Sequence, residues 1–427
     1  MVRTRFAPSP TGSMHIGNLR TAFYAYALAK HEGGDFILRI ENTDKKREKT
    51  GGIEETKKLL GVFGIKWDEY YIQAQRLDLY KKAAENLVSL GHAYRDKGAI
   101  RLKITRDEKI SFRDFVLDKE VVWDTNTLEE LVLLKSDGFP TYHLASVVDD
   151  YEMKVSHVLR GHDWLPSTPI HLLIYKYLGY RLPQIGHLTD ILDPEGGKLS
   201  KRKGSVSVEG MLSEGYLPEA LFNFVILLGW APKDNRELFI LDEFVRVFDH
   251  TGFQKANPIF NRKKLDWFNG HYIRQKTDKE LAQLLQPFAP MSFDKTLIQK
   301  TIPLVKERLV KLSDYVALTE FLVKEPVIDW SMYADKIESP VLVKEQLGRV
   351  VQLLKSAKSW RAAELEAKAR DLATAHHWSF GSFFMAIRIT LTGRNISPPL
   401  FACFELLGRD KSIVRLKKTL VTKWFLD

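Results

Sequence analysis

Cysteine is almost absent from this chain of 427 residues, in which only Cys403 occurs. A single cysteine excludes a disulfide within the chain and a zinc site built from cysteines. Free thiols persist where the surroundings are reducing. The composition therefore predicts a cytoplasmic protein that holds no zinc.

Long hydrophobic runs are missing as well. The longest, LFNFVILLGWAP at 221–232, is shorter than the ~20 residues that span a bilayer. The first residues, MVRTRFAPSP, lack the apolar core of a signal peptide. We therefore expect a soluble protein without a membrane partner, in which residues 221–232 form a buried helix.

Positive charge is in excess and is concentrated near the end of the chain. The formal net charge is +10, and residues 351–427 carry 13 Lys and Arg against 6 Asp and Glu. An excess of this kind favours an anionic partner such as nucleic acid. Helical spacing places Lys411, Arg415 and Lys418 on one face. A solvated face of a terminal helix is the simpler alternative for these three residues.

Alternating strand and helix patterns indicate a parallel α/β sheet. Strands are predicted over 2–6, 35–42, 147–161 and 183–192, and helices over 15–31, 53–64, 76–91 and 167–180. Short β-like segments interrupt this pattern around 95–140. After about residue 277 the strand pattern fades, and helical segments are predicted over 296–323, 341–358 and 361–376.

The loop in TRFAPSPTGSMHIGN, residues 4–18, joins the first strand to the first helix. Pro8 and Pro10 stiffen this loop, and Gly12 allows a close approach of the backbone. His15 and Gly17 stand at the start of the helix, whose N–H groups and dipole attract anions. The loop is thus a candidate phosphate site, although a rigid turn with a capping histidine is an equal alternative.

A second loop, DPEGGKLSKRKGS at 193–205, follows a late predicted strand. Lys198, Lys201, Arg202 and Lys203 give it the charge of a cationic arm for a triphosphate. A basic surface turn is a common alternative for one such loop. The combination of this loop with the His-Ile-Gly corner, each after a strand, favours a nucleotide site.

Five motifs occur in an order that resembles the bacterial-type class I glutamyl-tRNA synthetases. HIGN at 15–18 is similar to the HIGH motif of this family, and KLSKR at 198–202 is similar to its KMSKS motif. RIENTD, PTYHLASVVDD and VLRGHDWLPSTP, at 39–44, 140–150 and 158–169, resemble its strand-end motifs. The resemblance implies an α/β fold with a Rossmann-type parallel sheet, a shortened β-rich acceptor-binding insertion, a stem-contact domain and all-α anticodon-binding domains.

The resemblance also implies domain boundaries and residue roles. The domains would be the two Rossmann halves 1–94 and 141–197, the insertion 95–140, the KMSKS-type loop with the stem-contact domain 198–277, and the anticodon-binding domains 278–350 and 351–427. Catalysis would use His15, Lys198 and Lys201. Glutamate would contact Arg5, Ala7, Ser9, Glu41, Tyr142 and Arg160. ATP would contact Thr11, Gly17, Asp163, Ile191, Lys198, Ser200, Lys201 and Arg202. The tRNA would contact Thr43, Asp44, Arg47, Trp164 and Arg308.

The implied reaction uses ATP with Mg²⁺ to attach L-glutamate to tRNA(Glu). The resemblance leaves open whether tRNA(Gln) is charged as well. A monomer is expected. Two departures from the family stand out: Asn42 replaces an aspartate, and the region 93–104 lacks several dozen residues, which puts the acceptor contacts in doubt. One other interpretation is an adenylating nucleotidyltransferase that needs no tRNA, but the basic helical tail argues against it. Another is a non-catalytic RNA-binding paralogue. Retention of His15, Lys198 and Lys201 argues against the paralogue.

Overall fold

The computed structural model describes residues 1–44, 47, 49–199, 206–329, 331–334 and 339–422. Contacts between residues divide the chain into a first unit, Met1–Phe268, and a second unit, Asn269–Asp427. This division falls inside the helix Arg262–Gln275, a little before the predicted boundary at 277. The finer division into six domains stays a prediction.

The strands that the structure describes all lie in the first unit. They are β1 (Arg3–Phe6), β2 (Asp35–Ile40), β3 (Glu69–Ile72), β4 (Ala93–Asp96), β5 (Ala99–Leu102), β6 (Lys109–Asp114), β7 (Lys119–Asp124), β8 (Val132–Leu134), β9 (His157–Gly161) and β10 (Gln184–Leu188). The helices are α1 (Ile16–His31), α2 (Gly52–Val62), α3 (Leu77–Ser89), α4 (Tyr142–Glu152), α5 (Thr168–Leu178), α6 (Val208–Ser213), α7 (Pro218–Ile226), α8 (Leu241–Val247) and α9 (Arg262–Gln275), which continues into the second unit.

Two parallel sheets form the centre of the first unit. Strand β2 pairs with β1 and β3, and β9 pairs with β10. Strand β1 lies beside β9, since the Ser156 backbone N–H donates to the Arg3 carbonyl (2.9 Å). The predicted α/β class with a parallel sheet is confirmed. The carboxyl ends of β1, β2, β9 and β10 therefore meet at one edge, where ligands bind in such sheets.

Helix α1 ends where the sequence predicted. Gly33 has a φ of +61°, and a Cβ atom at Gly34 would lie 1.9 Å from the Val2 carbonyl oxygen. Only glycine allows the chain to pass this close to the start of β1. This close approach lets β2 return alongside β1.

The predicted strand over 147–161 is wrong in its first half. Residues 147–152 belong to helix α4, and the strand begins only at His157. Residues 144–150 are all buried. A short segment that is buried on every side has no distinguishing period of polar and apolar residues, so the pattern could not separate helix from strand.

The predicted β-rich interruption of the sheet domain is present. Strands β4 and β5 form a hairpin whose turn residues, Lys97 and Gly98, both have positive φ (50° and 82°). Such a turn suits a two-residue hairpin connection. Strand β8 pairs with β5, and β6 pairs with β7. We call residues 95–140 the insertion.

The second unit is helical throughout its described part. Its further helices are α10 (Asp278–Leu285), α11 (Lys295–Val305), α12 (Asp314–Thr319), α13 (Ser331–Ala334), α14 (Pro340–Ser356), α15 (Ala362–Ala375), α16 (Phe380–Thr392), α17 (Leu400–Leu407) and α18 (Arg409–Leu420). The predicted continuous helix over 296–323 is wrong, because the chain breaks between α11 and α12. There the Asp314 carboxylate accepts the backbone N–H groups of Val310 (3.1 Å) and Lys311 (2.7 Å), which competes with helical hydrogen bonds.

Arg415 corrects the predicted cationic face of helix α18. Its guanidinium is buried and donates to the carbonyl oxygens of Leu391 (2.9 Å), Phe321 (2.5 Å) and Lys324 (3.2 Å). Burial lowers the pKa of this guanidinium. Arg415 therefore joins helices within the second unit and is not part of a solvated or RNA-binding face.

The apolar run at 221–232 begins inside the buried helix α7, as predicted, although the helix ends at Ile226. None of the helices in the described ranges is long and apolar enough to cross a membrane.

Candidate active site

The end of the first loop and the segment that follows the second loop meet in the structure. The Ile16 backbone N–H donates to the Val206 carbonyl (3.1 Å), and the Val208 N–H donates to the Met14 carbonyl (2.9 Å). His15 forms an isolated antiparallel bridge with Ser207. Residues 206–208 follow the loop at 193–205, which we call the lysine loop. They lie against the start of helix α1, although some 190 positions separate them along the chain.

His15 is the N-cap of helix α1. Its ring Nδ1 accepts the Gly17 backbone N–H at 3.1 Å. Because a neutral imidazole carries one proton, this bond places the proton on Nε2. The cap thus sets His15 in the tautomer that can donate from Nε2 to an anion.

A cavity of about 320 Å³ lies beside this corner. Six predicted residues line it: His15, Gly17, Asp163, Trp164, Ile191 and Lys198. Thr11, also predicted to contact ATP, is exposed in the loop and is not among the lining residues. Ser200, Lys201 and Arg202 lie outside the described residues.

Lys198 is held at the cavity by two carboxylates. It forms ion pairs with Asp163 and, at 3.0 Å, with Asp190. Desolvation opposes the charged ammonium, but the two carboxylates prevail and raise the pKa of Lys198. The ammonium is therefore charged and oriented before a ligand arrives.

Arg160, at the end of β9, stands in a corner next to this cavity. Its Nε donates to His187 Nε2 (3.0 Å). Its Nη1 donates to Tyr142 Oη (3.3 Å) and His171 Nδ1 (3.0 Å), and its Nη2 donates to Thr168 Oγ1 (2.8 Å). The side chain is buried, and within the described ranges no carboxylate contacts it. Neutral groups thus hold this cation in place without neutralising its charge.

Arg5, the other arginine predicted to bind a carboxylate, has a partner within the protein. Its Nε lies 3.1 Å from Asp150 Oδ1, and Arg39 Nη1 lies 2.6 Å from the same oxygen. Arg39 also contacts Glu41 at 3.0 Å. Desolvation acts to raise the pKa of Asp150, but the charges of Arg39 and Arg5 lower this pKa overall. Burial raises the pKa of Glu41. Asp150 therefore already balances part of the charge of Arg5.

The remaining predicted residues are spread more widely. Trp164 packs at a tilt against Tyr142 (ring centroids 4.1 Å apart) and lines the cavity, so it joins the Arg160 corner to the cavity. Ser9 is exposed and Ala7 is half-buried in the loop after β1. Thr43 and Asp44 are both half-buried, and the exposed Arg47 pairs with Asp44 (2.7 Å). Arg308 is exposed in the second unit.

The stability of the first unit should depend on pH through His187. Burial lowers the pKa of its imidazole to about 4, compared with about 6.5 in an unfolded chain. The unfolded state therefore binds the proton first, and the free energy of unfolding should fall by about 3 kcal/mol as the pH drops from about 6.5 to about 4.

Urea denaturation across that pH range measures this effect. His143 and His171, whose pKa values burial also lowers, act in the same direction. The variant His187→Gln isolates the contribution of His187 and should show a shallower slope. An unchanged slope in this variant would contradict the expectation.

Known protein families and relatives resemble this chain over nearly its whole length. The family described as tRNA synthetases class I (E and Q), catalytic domain, matches residues 1–99 and 96–267, and the family described as Anticodon binding domain matches residues 280–420. A glutamate–tRNA ligase of Dehalococcoides mccartyi is 39% identical over 97% of this chain and 96% of its own length. The chain belongs to the glutamate–tRNA ligases. The ligase of Treponema denticola is 34% identical over 99% of this chain and 100% of its own length.

A solved ligase structure also resembles this chain. The crystal structure of a glutamate tRNA ligase from Elizabethkingia meningosepticum, in complex with its amino acid, has a TM-score of 0.81 and 31% identity. It covers 99% of each chain. The likeness therefore spans both units of this ligase.

The ligase family also bears on the shortened insertion. The alignment to the Dehalococcoides ligase spans 471 positions, 44 more than this chain has residues. The match to the catalytic-domain family breaks at residues 96–99, where Lys97 and Gly98 form the hairpin turn. Both findings support the interpretation that a two-residue turn stands where relatives have a longer segment.

Several buried charged residues of the first unit were not predicted from the sequence. Asp149 accepts hydrogen bonds from Gln73 (3.0 Å), Arg76 (2.8 Å) and Tyr80 (2.8 Å). Arg20 is buried at the cavity and donates only to carbonyl oxygens through its Nη atoms. The sequence signal that could have found them is a charged residue within an apolar run. Such a residue is expected to be buried, and a buried charge needs a partner.

Proposed function

We propose that the chain ligates L-glutamate to the 3′ end of tRNA(Glu) in two steps. ATP first activates glutamate as glutamyl-adenylate, and the glutamyl group then passes to the terminal ribose. The observation that carries this proposal is the meeting of the His15 corner and Lys198 in one cavity, beside a buried arginine that no described carboxylate contacts.

Glutamate recognition rests mainly on Arg160. Neutral partners orient its guanidinium and leave its charge for the side-chain carboxylate of glutamate. Tyr142 would donate a hydrogen bond beside it, and Arg5 would add a weaker field, because Asp150 shares its charge. Glu41 would accept the α-ammonium, with Ala7 and Ser9 lining the approach. Neutral glutamine would lack the ionic part of this recognition.

The activation step brings together two anions, the α-carboxylate of glutamate and the α-phosphate of ATP. At ~4 Å their repulsion is roughly 4 kcal/mol at an effective dielectric constant of about 20. His15 Nε2–H and the Lys198 ammonium, with Lys201 of the lysine loop, would stabilise the charge that develops on pyrophosphate. Catalysis is then positioning and electrostatics, without a nucleophilic side chain. Thr11, Gly17, Asp163, Ile191, Ser200 and Arg202 would complete the nucleotide contacts.

Mg²⁺ fits this site as a partner of ATP. It usually takes one or two protein carboxylates together with phosphate oxygens, and Asp163 and Asp190 are the carboxylates at the cavity. No group of three or more metal-binding side chains occurs in the described part of the chain. When bound, the ion would add positive charge next to the phosphates.

The tRNA would contact both units. Thr43, Asp44, Arg47 and Trp164 would meet the acceptor end, where the ribose hydroxyl attacks the carbonyl carbon of the adenylate and AMP leaves. Arg308 would meet an anticodon base. Residues 351–427 contribute +7 of the net charge, which suits contacts with phosphates. The ligase is expected to act as a monomer in the cytoplasm.

Charging of tRNA transcripts with labelled glutamate tests this function. We expect glutamyl-tRNA(Glu) to form, and Lys201→Ala to abolish its formation. The result with tRNA(Gln) decides whether the enzyme also charges that tRNA. Binding of either tRNA without charging would favour a non-catalytic RNA-binding protein instead.

Replacing Arg160 by glutamine tests the recognition of glutamate. The KM for glutamate should rise about 10- to 100-fold, because a charged hydrogen bond to the substrate is lost, while the KM for ATP should stay within about twofold. Arg236→Gln is the matched control, since Arg236 is exposed and paired with Asp234. Equal KM values for glutamate in the two variants would contradict the proposed role.

A further inference from the structure

Asp114 is a buried carboxylate that belongs to the insertion and yet reaches the Arg160 corner. It ends strand β6, and its Oδ1 accepts the backbone N–H groups of Val116 and Leu117, both at 3.0 Å. Its Oδ2 lies 2.7 Å from His187 Nδ1 and 3.2 Å from the His187 backbone nitrogen. Asp114 and His187 are both fully buried.

The hydrogen bonds determine which nitrogen of His187 carries the proton. The guanidinium of Arg160 can only donate, so His187 Nε2 must accept its Nε–H at 3.0 Å. The proton of the neutral ring then lies on Nδ1 and is donated to Asp114. Only this tautomer satisfies Asp114 and Arg160 together.

The insertion is fastened to strand β10 next to His187. The Phe115 backbone N–H donates to the Ile185 carbonyl at 3.2 Å. A Cβ atom at Gly186 would lie 2.5 Å from Val116 Cγ2 and 2.7 Å from the Phe115 ring. Glycine at 186 thus lets the turn after β6 approach the strand closely enough for Asp114 to reach the imidazole.

We propose that Asp114 is a positioning residue for glutamate recognition, because it holds His187 in the tautomer that orients Arg160. This inference rests on the proposed function of Arg160. It makes the insertion part of the amino-acid site, through the chain of hydrogen bonds Asp114–His187–Arg160.

The variant Asp114→Asn tests the inference. An amide that donates to His187 Nδ1 favours the opposite tautomer, whose Nε2–H faces the Nε–H of Arg160. We expect the dissociation constant for glutamate, measured by calorimetry, and the KM for glutamate to rise at least about tenfold. The KM for ATP and the kcat at saturating glutamate should change less than about twofold. NMR of ¹⁵N-labelled histidine should show the proton of His187 moving from Nδ1 to Nε2.

A second variant separates positioning from general structural damage. In His187→Gln the side-chain oxygen can accept from Arg160 without the help of Asp114. Adding Asp114→Asn to this background should therefore leave the affinity for glutamate unchanged. Equal losses in both backgrounds, or parallel losses in the affinities for glutamate and ATP, would overturn the inference.

Two further outcomes are decisive. If Asp114→Asn does not fold, Gly186→Ala, which pushes the turn away from β10, should raise the KM for glutamate and leave the KM for ATP unchanged. An unchanged KM for glutamate in that variant would overturn the inference. The inference alone would be refuted if the wild-type protein charges tRNA(Glu) and the Asp114→Asn variant has an unchanged affinity for glutamate. The proposed function would be refuted if the wild-type protein binds no glutamate.

Discussion

Replacing Asp150 by alanine is expected to lower the free energy of unfolding by about 3–5 kcal/mol, because two buried arginines lose their shared partner. Arg39 is fully buried and Arg5 is nearly so, and both contact Asp150 Oδ1. Without this carboxylate, Arg39 keeps Glu41 (3.0 Å) as a partner, whereas Arg5 loses its ion pair in a region of low dielectric constant. Urea denaturation followed by circular dichroism measures the loss.

The matched control for this variant is Asp234→Ala. Asp234 also pairs with an arginine, Arg236 (2.6 Å), but both side chains are exposed. Exposed pairs contribute little to stability, so this change should leave the free energy of unfolding almost unaltered. If Asp150→Ala behaved like Asp234→Ala, the buried pairs would not hold the strand ends together as the structure indicates.

Replacing His15 by serine is expected to slow the formation of glutamyl-adenylate about 100- to 1,000-fold, the usual effect of removing one donor to a developing oxyanion. Serine is a good N-cap and can accept the Gly17 N–H in place of the imidazole. It cannot reach the position of Nε2. Pyrophosphate exchange, measured in the presence of glutamate and tRNA(Glu), reports the rate.

A comparison with His15→Ala separates catalysis from capping. Alanine removes the donor and the cap together, and loss of an N-cap costs about 1 kcal/mol of stability. The two variants should therefore be similarly slow but differ in stability. A His15→Ser enzyme with nearly normal exchange would show that His15 serves only as a cap.

The sequence alone was sufficient for the fold class, the helical second unit and the family. Alternating strands and helices predict a parallel sheet whatever the tertiary contacts, and the HIGN and KLSKR motifs are local in sequence. Local patterns failed where burial removed the period, as in the first half of 147–161, and where a side chain captured backbone groups, as Asp314 does between α11 and α12.

Only the tertiary structure decided how the two arginines differ. In the sequence, Arg5 and Arg160 are alike, since each stands near the end of a predicted strand. In the fold, Arg5 meets Asp150, whereas Arg160 meets two histidines, a tyrosine and a threonine. These partners lie up to 145 residues away along the chain. Which charge is neutralised and which remains for a substrate depends on contacts between distant strands and helices, and no local pattern encodes them.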